Sequence, residues 1–288
     1  MTPDRSSAAR ELLAFYLEAG ADALIGETPV DRFADPGPAA VASAGTPEPV
    51  APQATDARPP SRIRTTLPPK GVPAAERPTG PAPPSPEAAV MAARAAAKSA
   101  ATLEELRAIL ERFDGCALKG TAKQLVFADG TPGSRVMFVG EAPGRDEDIE
   151  GLPFVGRSGK LLDRIAAAIG LDRTSFYIAN IVPWRPPGNR TPTPQESQIC
   201  LPFIQRQIEL ANPDVLVCLG GPSAQTLLGV TEGIMRTRGR WFTFNTGTRE
   251  IKAIATLHPA YLLRQPLAKR QVWQDFLKIR QALDAPKQ

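Results

Sequence analysis

The sequence is poor in histidine and cysteine, and it has no long apolar runs. It contains one histidine and three cysteines in 288 residues. Three sparse cysteines cannot build a disulfide framework, and their odd number is typical of a protein from a reducing compartment. No apolar run approaches the roughly 18 residues that a membrane-spanning helix requires. We therefore expect a cytoplasmic protein without a membrane segment.

Proline is abundant instead, and it is concentrated in one region. The chain has 31 prolines, and residues 27–87 consist largely of Pro, Ala, Thr, Ser and Gly. Such a stretch cannot bury enough apolar surface to offset the entropy lost on ordering it, so we predict a disordered linker. It separates an N-terminal helix within residues 1–26 from a folded domain over residues 88–288. That helix could bind a protein partner, dock on the domain or remain unattached.

The folded domain alternates strand and helix patterns. Its predicted strands are short and mostly apolar, which is typical of parallel strands covered by helices on both faces. They fall at 135–139, 176–181, 214–219 and 251–256, with an edge strand at 241–244. Helices are predicted at 88–101, 102–113, 159–169, 194–210, 222–228 and 265–283. The pattern predicts an α/β fold, a three-layer α/β/α sandwich around a small, mainly parallel sheet.

Side chains capable of chemistry follow the carboxyl ends of these strands. Glu141 follows the first strand, Asn180 lies near the end of the second, and His258 follows the fourth. Parallel strands bring their carboxyl ends to one edge, where α/β folds bind ligands, so these residues should share one rim. Each also has an ordinary explanation: His258 as a structural residue, Asn180 as a turn residue and Glu141 as a helix cap.

Three motifs of this domain resemble the uracil-DNA glycosylase superfamily, and family 4 within it. They are GEAPGRDEDIEGLPFVGRSGKLL from Gly140, NIVPWRPPGNRTPTPQE from Asn180 and LHPAYLLR from Leu257. They follow the family's order and spacing, and the resemblance covers residues 113–284. It implies the family's fold and DNA as the partner. It also implies an enzyme that flips uracil out of DNA and hydrolyses its N-glycosidic bond, which begins base-excision repair.

The resemblance assigns roles to residues of the predicted rim. Phe154 is the plate on which the flipped base stacks, unless it is only a core residue. Asn180 pairs with O4 and N3 of uracil, because an amide offers a donor and an acceptor together. His258 donates to O2, where negative charge develops, and backbone N–H groups at Gly140 and Glu141 can add to it. Glu141 positions the attacking water or stabilises the positive sugar, and both roles remain open.

The loop that follows the histidine is implied to contact DNA. The predicted contact residues are Leu262, Leu263, Arg264, Arg157, Arg185 and Arg190. The leucines would enter the duplex where the base left, and the arginines would contact phosphates, although each arginine could equally be a solvated charge. The net charge of +4 permits DNA binding but does not establish it.

The chain departs from family 4 at the iron–sulfur cluster. Family 4 enzymes hold a 4Fe–4S cluster with four cysteines, but here Phe113 and Trp184 occupy two of those positions, and only Cys116 and Cys200 remain. A cubane cluster normally needs four thiolates, so we predict no cluster and no other cofactor. Phe113 and Trp184 are predicted to fill the former cluster site with apolar packing. Cys218 falls in an apolar strand and is predicted to be a core residue.

The leading prediction is therefore a monofunctional uracil-DNA glycosylase that acts as a monomer on single- or double-stranded DNA. Two alternatives remain open. Loss of the cluster could reshape the pocket so that it accepts hypoxanthine, xanthine or other damaged bases. It could also mark a relative that binds DNA without catalysis.

Overall fold

A computed structural model describes residues 85–284 of the chain. The helix predicted within residues 1–26, and nearly all of the predicted linker, lie outside the described residues. The first described helix begins at Pro86, and Ser85 caps it by accepting from the backbone N–H of Ala88. The helix predicted from residue 88 therefore begins two residues earlier. The missing N–H of a proline is harmless at the first helical position, so Pro86 can start the helix.

The described residues contain nine α-helices and six strands. The helices are α1 Pro86–Ser99, α2 Leu103–Arg112, α3 Arg145–Glu150, α4 Arg157–Ala167, α5 Pro194–Ala211, α6 Gly221–Leu228, α7 Ile234–Thr237, α8 Pro259–Arg264 and α9 Lys269–Asp284. The strands are β1 Asp129–Gly130, β2 Val136–Gly140, β3 Phe176–Asn180, β4 Val215–Leu219, β5 Trp241–Asn245 and β6 Glu250–Thr256.

The strands form one sheet in the order β1-β3-β2-β4-β6-β5. The four central strands are parallel, and β1 and β5 pair antiparallel at the two edges. The prediction of a small, mainly parallel sheet is confirmed. The chain leaves β2 toward β3 on one side and leaves β4 toward β6 on the other. This reversal creates a crevice at the carboxyl ends of β2 and β4, the usual ligand site of open α/β sheets.

Helices cover both faces of the sheet, as the fold prediction requires. Side chains alternate between the faces, so Met137 and Val139 join an apolar cluster with α1, α2, α5 and α6. Val136 and Phe138 join a second cluster with α4, α8 and α9. Because the central strands are buried on both faces, they consist almost entirely of apolar residues.

The structure corrects one predicted helix. The helix predicted over 265–283 begins only at Lys269, as α9, and the first residues of the predicted segment form a 3₁₀ turn at Pro266–Ala268 that separates α9 from α8. Proline disfavours a helical residue before it and cannot donate into the helix, so Pro266 ends α8. Among the helices of residues 85–284, none is long and apolar enough to cross a membrane.

Candidate active site

A cavity of about 540 Å³ opens at the carboxyl edge of the central strands. This volume is typical of sites for small molecules. Glu141, Phe154, Asn180 and His258 all line it, so the structure brings these predicted residues together. Gly140 lies close to them: a Cβ atom there would be 2.4 Å from Asn180 Oδ1 and 2.6 Å from Phe154 Cζ. Only glycine permits this close approach.

Two acceptor atoms of the cavity have no partner among the described residues. Glu141 Oε1 and Asn180 Oδ1 are buried, and neither accepts a hydrogen bond from residues 85–284. A buried acceptor without a partner costs about 1–3 kcal/mol, so such atoms indicate a site that a ligand completes. Burial also raises the pKa of Glu141 above its ordinary value. Glu141 does not cap α3, because Gly144 holds the N-cap position.

His258 has its tautomer set by the backbone. It is the N-cap of α8, and the backbone N–H of Ala260 donates to Nδ1 at 3.1 Å. A backbone N–H can only donate, so Nδ1 carries no proton. Burial, and to a smaller extent the charge of Arg264, lowers the pKa of His258 to about 4. At neutral pH the ring is therefore uncharged and carries its proton on Nε2. The residue caps a helix and lines the cavity at once.

Phe154 forms a flat wall of the cavity from a strained backbone. Its φ of 57° lies in the left-handed region, which costs a non-glycine residue about 1–3 kcal/mol. Its ring centroid lies 5.5 Å from that of His258, with 33° between the planes. The side chain is only 4% exposed and belongs to the core cluster of Phe138 and Leu162. Phe154 thus serves as a core residue and as a cavity wall.

The carboxylates that follow Glu141 hold the loop in place. Glu147 Oε2 accepts from the backbone N–H of Gly144, and its Oε1 accepts from that of Gly156, both at 3.0 Å. These bonds join the loop after β2 to the start of α4. Asp148 is buried and accepts from the backbone N–H of Lys123 at 2.8 Å. Both carboxylates are satisfied within the protein.

The predicted phosphate contacts differ in their surroundings. Arg264 and Arg190 line the cavity, and Arg157 is exposed at the start of α4. Arg190 forms a two-pronged ion pair with Glu196, at 2.7 and 2.8 Å. Arg185 donates to Asn189 Oδ1 at 2.7 Å. Two of these arginines are therefore engaged by neighbours, whereas Arg264 is exposed.

Leu262 does not fit its predicted role. Its side chain is fully buried, because it lies on the face of α8 that joins the core cluster of Leu257 and Phe276. The prediction that Leu262 enters the duplex is therefore wrong for this structure. Leu263, the next residue, is 40% exposed and remains the apolar candidate.

Sequence reasoning did not assign two residues that line the cavity mouth. Tyr261 lies within the LHPAYLLR motif, one helical turn after His258, and this spacing could have identified it. Met235 lies in α7, a helix of four residues with too little periodicity to be recognised.

The former cluster site, defined by Phe113, Cys116, Trp184 and Cys200, is an apolar core. Cys116 and Trp184 are 1% and 2% exposed, Cys200 is fully buried, and Phe113 packs against the same cluster. The Sγ atoms of Cys116 and Cys200 lie 3.9 Å apart. The ring of Phe113 meets that of Phe203 edge to face, with centroids 4.9 Å apart.

These residues do not fit a 4Fe–4S cluster. Two of the four positions carry rings that have no ligand atom for iron. The remaining cysteine, Cys218, lies in the buried strand β4, where burial raises its pKa to about 12. Among residues 85–284, no group of three or more His, Cys, Asp or Glu side chains is arranged to hold a metal ion.

Taken together, an aromatic wall, an amide, a neutral imidazole and a carboxylate define a site for a planar heterocyclic ring. A family model for the uracil DNA glycosylase superfamily matches residues 127–277. The type-4 uracil-DNA glycosylase of Archaeoglobus fulgidus is 41% identical over 168 residues, which cover 57% of this chain and 84% of the relative. That of Thermotoga maritima is also 41% identical, over 57% of this chain and 86% of its own length. That of Saccharolobus solfataricus is 39% identical, over 59% and 81%. The chain belongs to the uracil-DNA glycosylase superfamily, close to its family 4.

Proposed function

We propose that this protein is a monofunctional uracil-DNA glycosylase that hydrolyses the N-glycosidic bond of uracil in DNA and leaves an abasic site. The proposal rests on one observation: the Glu141 and Asn180 acceptors that lack partners among residues 85–284, the neutral His258 and the ring of Phe154 converge on one cavity. The type-4 relatives, which carry this activity in their names, support it. The reaction would start base-excision repair.

The cavity offers complementary partners for a flipped uracil. Its ring stacks on Phe154, which replaces the stacking lost from the duplex. The N3–H of uracil donates to Asn180 Oδ1, which lacks a partner among residues 85–284, and the Asn180 amide N–H donates to O4. Cytosine offers the opposite donor and acceptor pattern at these two positions, so the amide favours uracil.

Bond cleavage separates charge, and the site has a group for each side. The C1′–N1 bond breaks with its electron pair moving onto the base, and the negative charge is largely on O2. The Nε2–H of neutral His258 donates to that oxygen. The sugar becomes positive, water adds to C1′, and the water's proton passes to Glu141 or to solvent. Whether Glu141 positions this water or stabilises the sugar, it must be ionised.

We propose that DNA lies across the mouth of the cavity. Arg264, Tyr261 and Met235 line the mouth, and Leu263 is exposed on the same helix as Tyr261 and Arg264. Apolar side chains beside a cation suit a duplex from which one base has been withdrawn. We further propose that the protein acts as a monomer in the cytoplasm, and its free cysteine thiols support that location.

We also propose that the enzyme works without an iron–sulfur cluster. Two thiols and two apolar rings cannot replace four thiolates, and packing at the former cluster site can hold the fold instead. Iron analysis of anaerobically purified protein tests this directly. We expect substoichiometric iron, and about four irons per chain would overturn the proposal.

The test of function is base release from a defined oligonucleotide. The protein is incubated with a strand carrying one uracil, and alkali is then added to cleave abasic sites. We expect strand breaks only after alkali, none with a thymine strand, and none with the Glu141→Ala plus His258→Ala double variant. Glu150→Ala removes an exposed carboxylate at the end of α3 and should leave activity unchanged.

The same assay decides between the two alternatives. A parallel panel of hypoxanthine and xanthine strands measures substrate range. Release of those bases at the rate of uracil would favour the broader enzyme. Binding to uracil-containing DNA without release of free base would favour a non-catalytic relative.

A further inference from the structure

The strained backbone of Phe154 is held by a residue outside the cavity. Arg173 lies in the loop between α4 and β3, and its Nη2 donates to the carbonyl oxygen of Phe154 at 2.6 Å. Its Nη1 donates to the carbonyl of Pro153 at 3.2 Å. We propose that Arg173 is a positioning residue for uracil binding, because it fixes the backbone that orients the Phe154 ring. This inference rests on the proposed function.

Arg173 is itself anchored on several sides. Its Nε donates to Asp163 Oδ1 at 2.8 Å, and its Nη1 donates to Asp129 Oδ2 at 2.9 Å. The guanidinium also lies over the ring of Phe176, 5.6 Å from the centroid. The guanidinium is planar and its donors have a fixed geometry. Because it binds partners in α4, β1 and the Phe154 loop at the same time, it is held in one orientation.

The loop that carries Arg173 is also ordered. Asp172 Oδ1 accepts from the backbone N–H of Thr174 at 2.9 Å and from its hydroxyl at 2.6 Å. The backbone N–H of Asp172 donates to Ser175 Oγ at 2.8 Å. These bonds make a compact turn, so the arginine projects from a fixed base.

Helix α4 confines the same carbonyl from another direction. A Cβ atom at Gly159 would lie 1.7 Å from the Phe154 oxygen and 2.1 Å from its carbonyl carbon. The Phe154 carbonyl is therefore held between the helix backbone and the guanidinium of Arg173. Relief of the left-handed φ requires rotation about the N–Cα bond of Phe154. That rotation would displace the carbonyl from Arg173 and press it against α4.

The ring of Phe154 is coupled to this backbone. A relaxed φ would move the ring away from Gly140 and from its place beside His258, which lies 5.5 Å away. Arg173 does not line the cavity, so it can affect the base only through Phe154. Stacking of a base on an aromatic side chain contributes about tenfold or more to binding. A variant that frees the Phe154 backbone should lose affinity on that scale.

The experiment measures inhibition by free uracil together with kcat and KM. We expect Arg173→Gln to weaken uracil inhibition about tenfold and to raise KM, because the misplaced ring stacks poorly. The matched control is Arg206→Gln. Arg206 also donates to a backbone carbonyl, that of Ala100, and pairs with Glu209, and its side chain is 23% exposed against 25% for Arg173. The control should lower thermal stability but leave uracil inhibition unchanged.

A double-mutant cycle separates positioning from general destabilisation. In the Phe154→Ala background there is no ring to orient, so Arg173→Gln should cause no further loss of uracil inhibition. An equal loss in both backgrounds, or no loss in the presence of Phe154, would overturn the proposal. If Arg173→Gln does not fold, Arg173→Lys keeps a charge beside Asp163 and Asp129 and supports the same comparison. Failure of the wild-type protein to release uracil would instead refute the proposed function.

Discussion

The cavity rim and the former cluster site differ in what they bury: the rim buries polar atoms without partners in the described part of the chain, and the former cluster site buries apolar side chains. At the rim, Glu141 and Asn180 keep buried acceptors without partners among residues 85–284, and Phe154 keeps a strained φ. At the former cluster site, Trp184 and Cys200 are almost wholly buried in an apolar cluster. The rim therefore destabilises the fold in favour of ligand binding, whereas the former cluster site stabilises it.

The two regions are close along the chain, so one can support the other. Trp184 lies only four residues after Asn180, in the loop that leaves β3. The backbone N–H of Ile181 in that loop donates to the carbonyl of Gly140, and that of Val182 donates to the carbonyl of Glu141, both at 3.0 Å. Packing of Trp184 thus fixes a loop that bonds to the backbone of Gly140 and Glu141 beside the cavity. Apolar packing can hold this loop, because holding it requires no particular functional group. The rim residues cannot be replaced in that way, because each supplies a specific hydrogen-bonding or charged group.

The largest expected effect comes from emptying the former cluster site. Trp184→Ala should lower the free energy of unfolding by about 3–5 kcal/mol, because it removes a large, fully buried ring. Denaturant unfolding of the full chain measures it. Trp273→Ala is the control, since that ring is 41% exposed and its loss should destabilise the fold much less. Equal destabilisation by the two variants would contradict a structural role for this site.

The next effect separates the two roles of His258. His258→Ala removes the donor to O2, and His258→Asn replaces it with a shorter amide whose N–H reaches less far than Nε2–H of histidine. Both variants should slow uracil release by about 10²–10³-fold. Asparagine is a strong N-cap, so His258→Asn should keep α8 capped, while His258→Ala should lose about 1 kcal/mol of stability. Single-turnover rates and unfolding curves of both variants check this. A rate near that of the wild type in His258→Asn would show that capping, not donation, is what the histidine supplies.

Much of the site could be predicted from the sequence because its residues follow strand ends. Glu141, Asn180 and His258 are each placed by a short apolar strand, and parallel strands bring their ends together by geometry alone. The motif spacing added Phe154. The left-handed φ of Phe154 was not predictable, because it depends on Arg173 from a distant loop and on the close approach of Gly159.

The predictions that failed concern short helices: which of their residues are buried, whether they form, and where helices begin. Leu262 and Leu263 are adjacent, and the sequence alone does not show which one faces the core. In α8 the answer depends on packing against α4 and α9, which places Leu262 inside. The helices α3, α7 and α8 were not predicted, because four to six residues are too few to show a helical period. The predicted start of α1 differs from the observed start at Pro86 by two residues.

The smallest expected effect near neutral pH is the pH dependence of uracil release, which comes from the titrating groups of the cavity rim and not from the apolar cluster site. Activity needs ionised Glu141 and neutral His258. The pKa of Glu141 is raised above its ordinary 4.5, and that of His258 is lowered from 6.5 to about 4. Both groups gain protons as the pH falls, so uracil release should be flat near pH 7. It should fall first through the pKa of Glu141 and more steeply near pH 4.

Glu141→Gln provides the control for this profile. The variant should be slower at every pH, yet its rate should stay level until about pH 4, where only His258 remains to titrate. Oligonucleotide incubated without protein gives the background at each pH, and circular dichroism reports whether the fold survives. An acid limb near pH 6.5 in both proteins would mean that His258 titrates as an ordinary histidine. It would then be a cation at mildly acid pH, and the cavity would lack the burial that keeps its imidazole neutral.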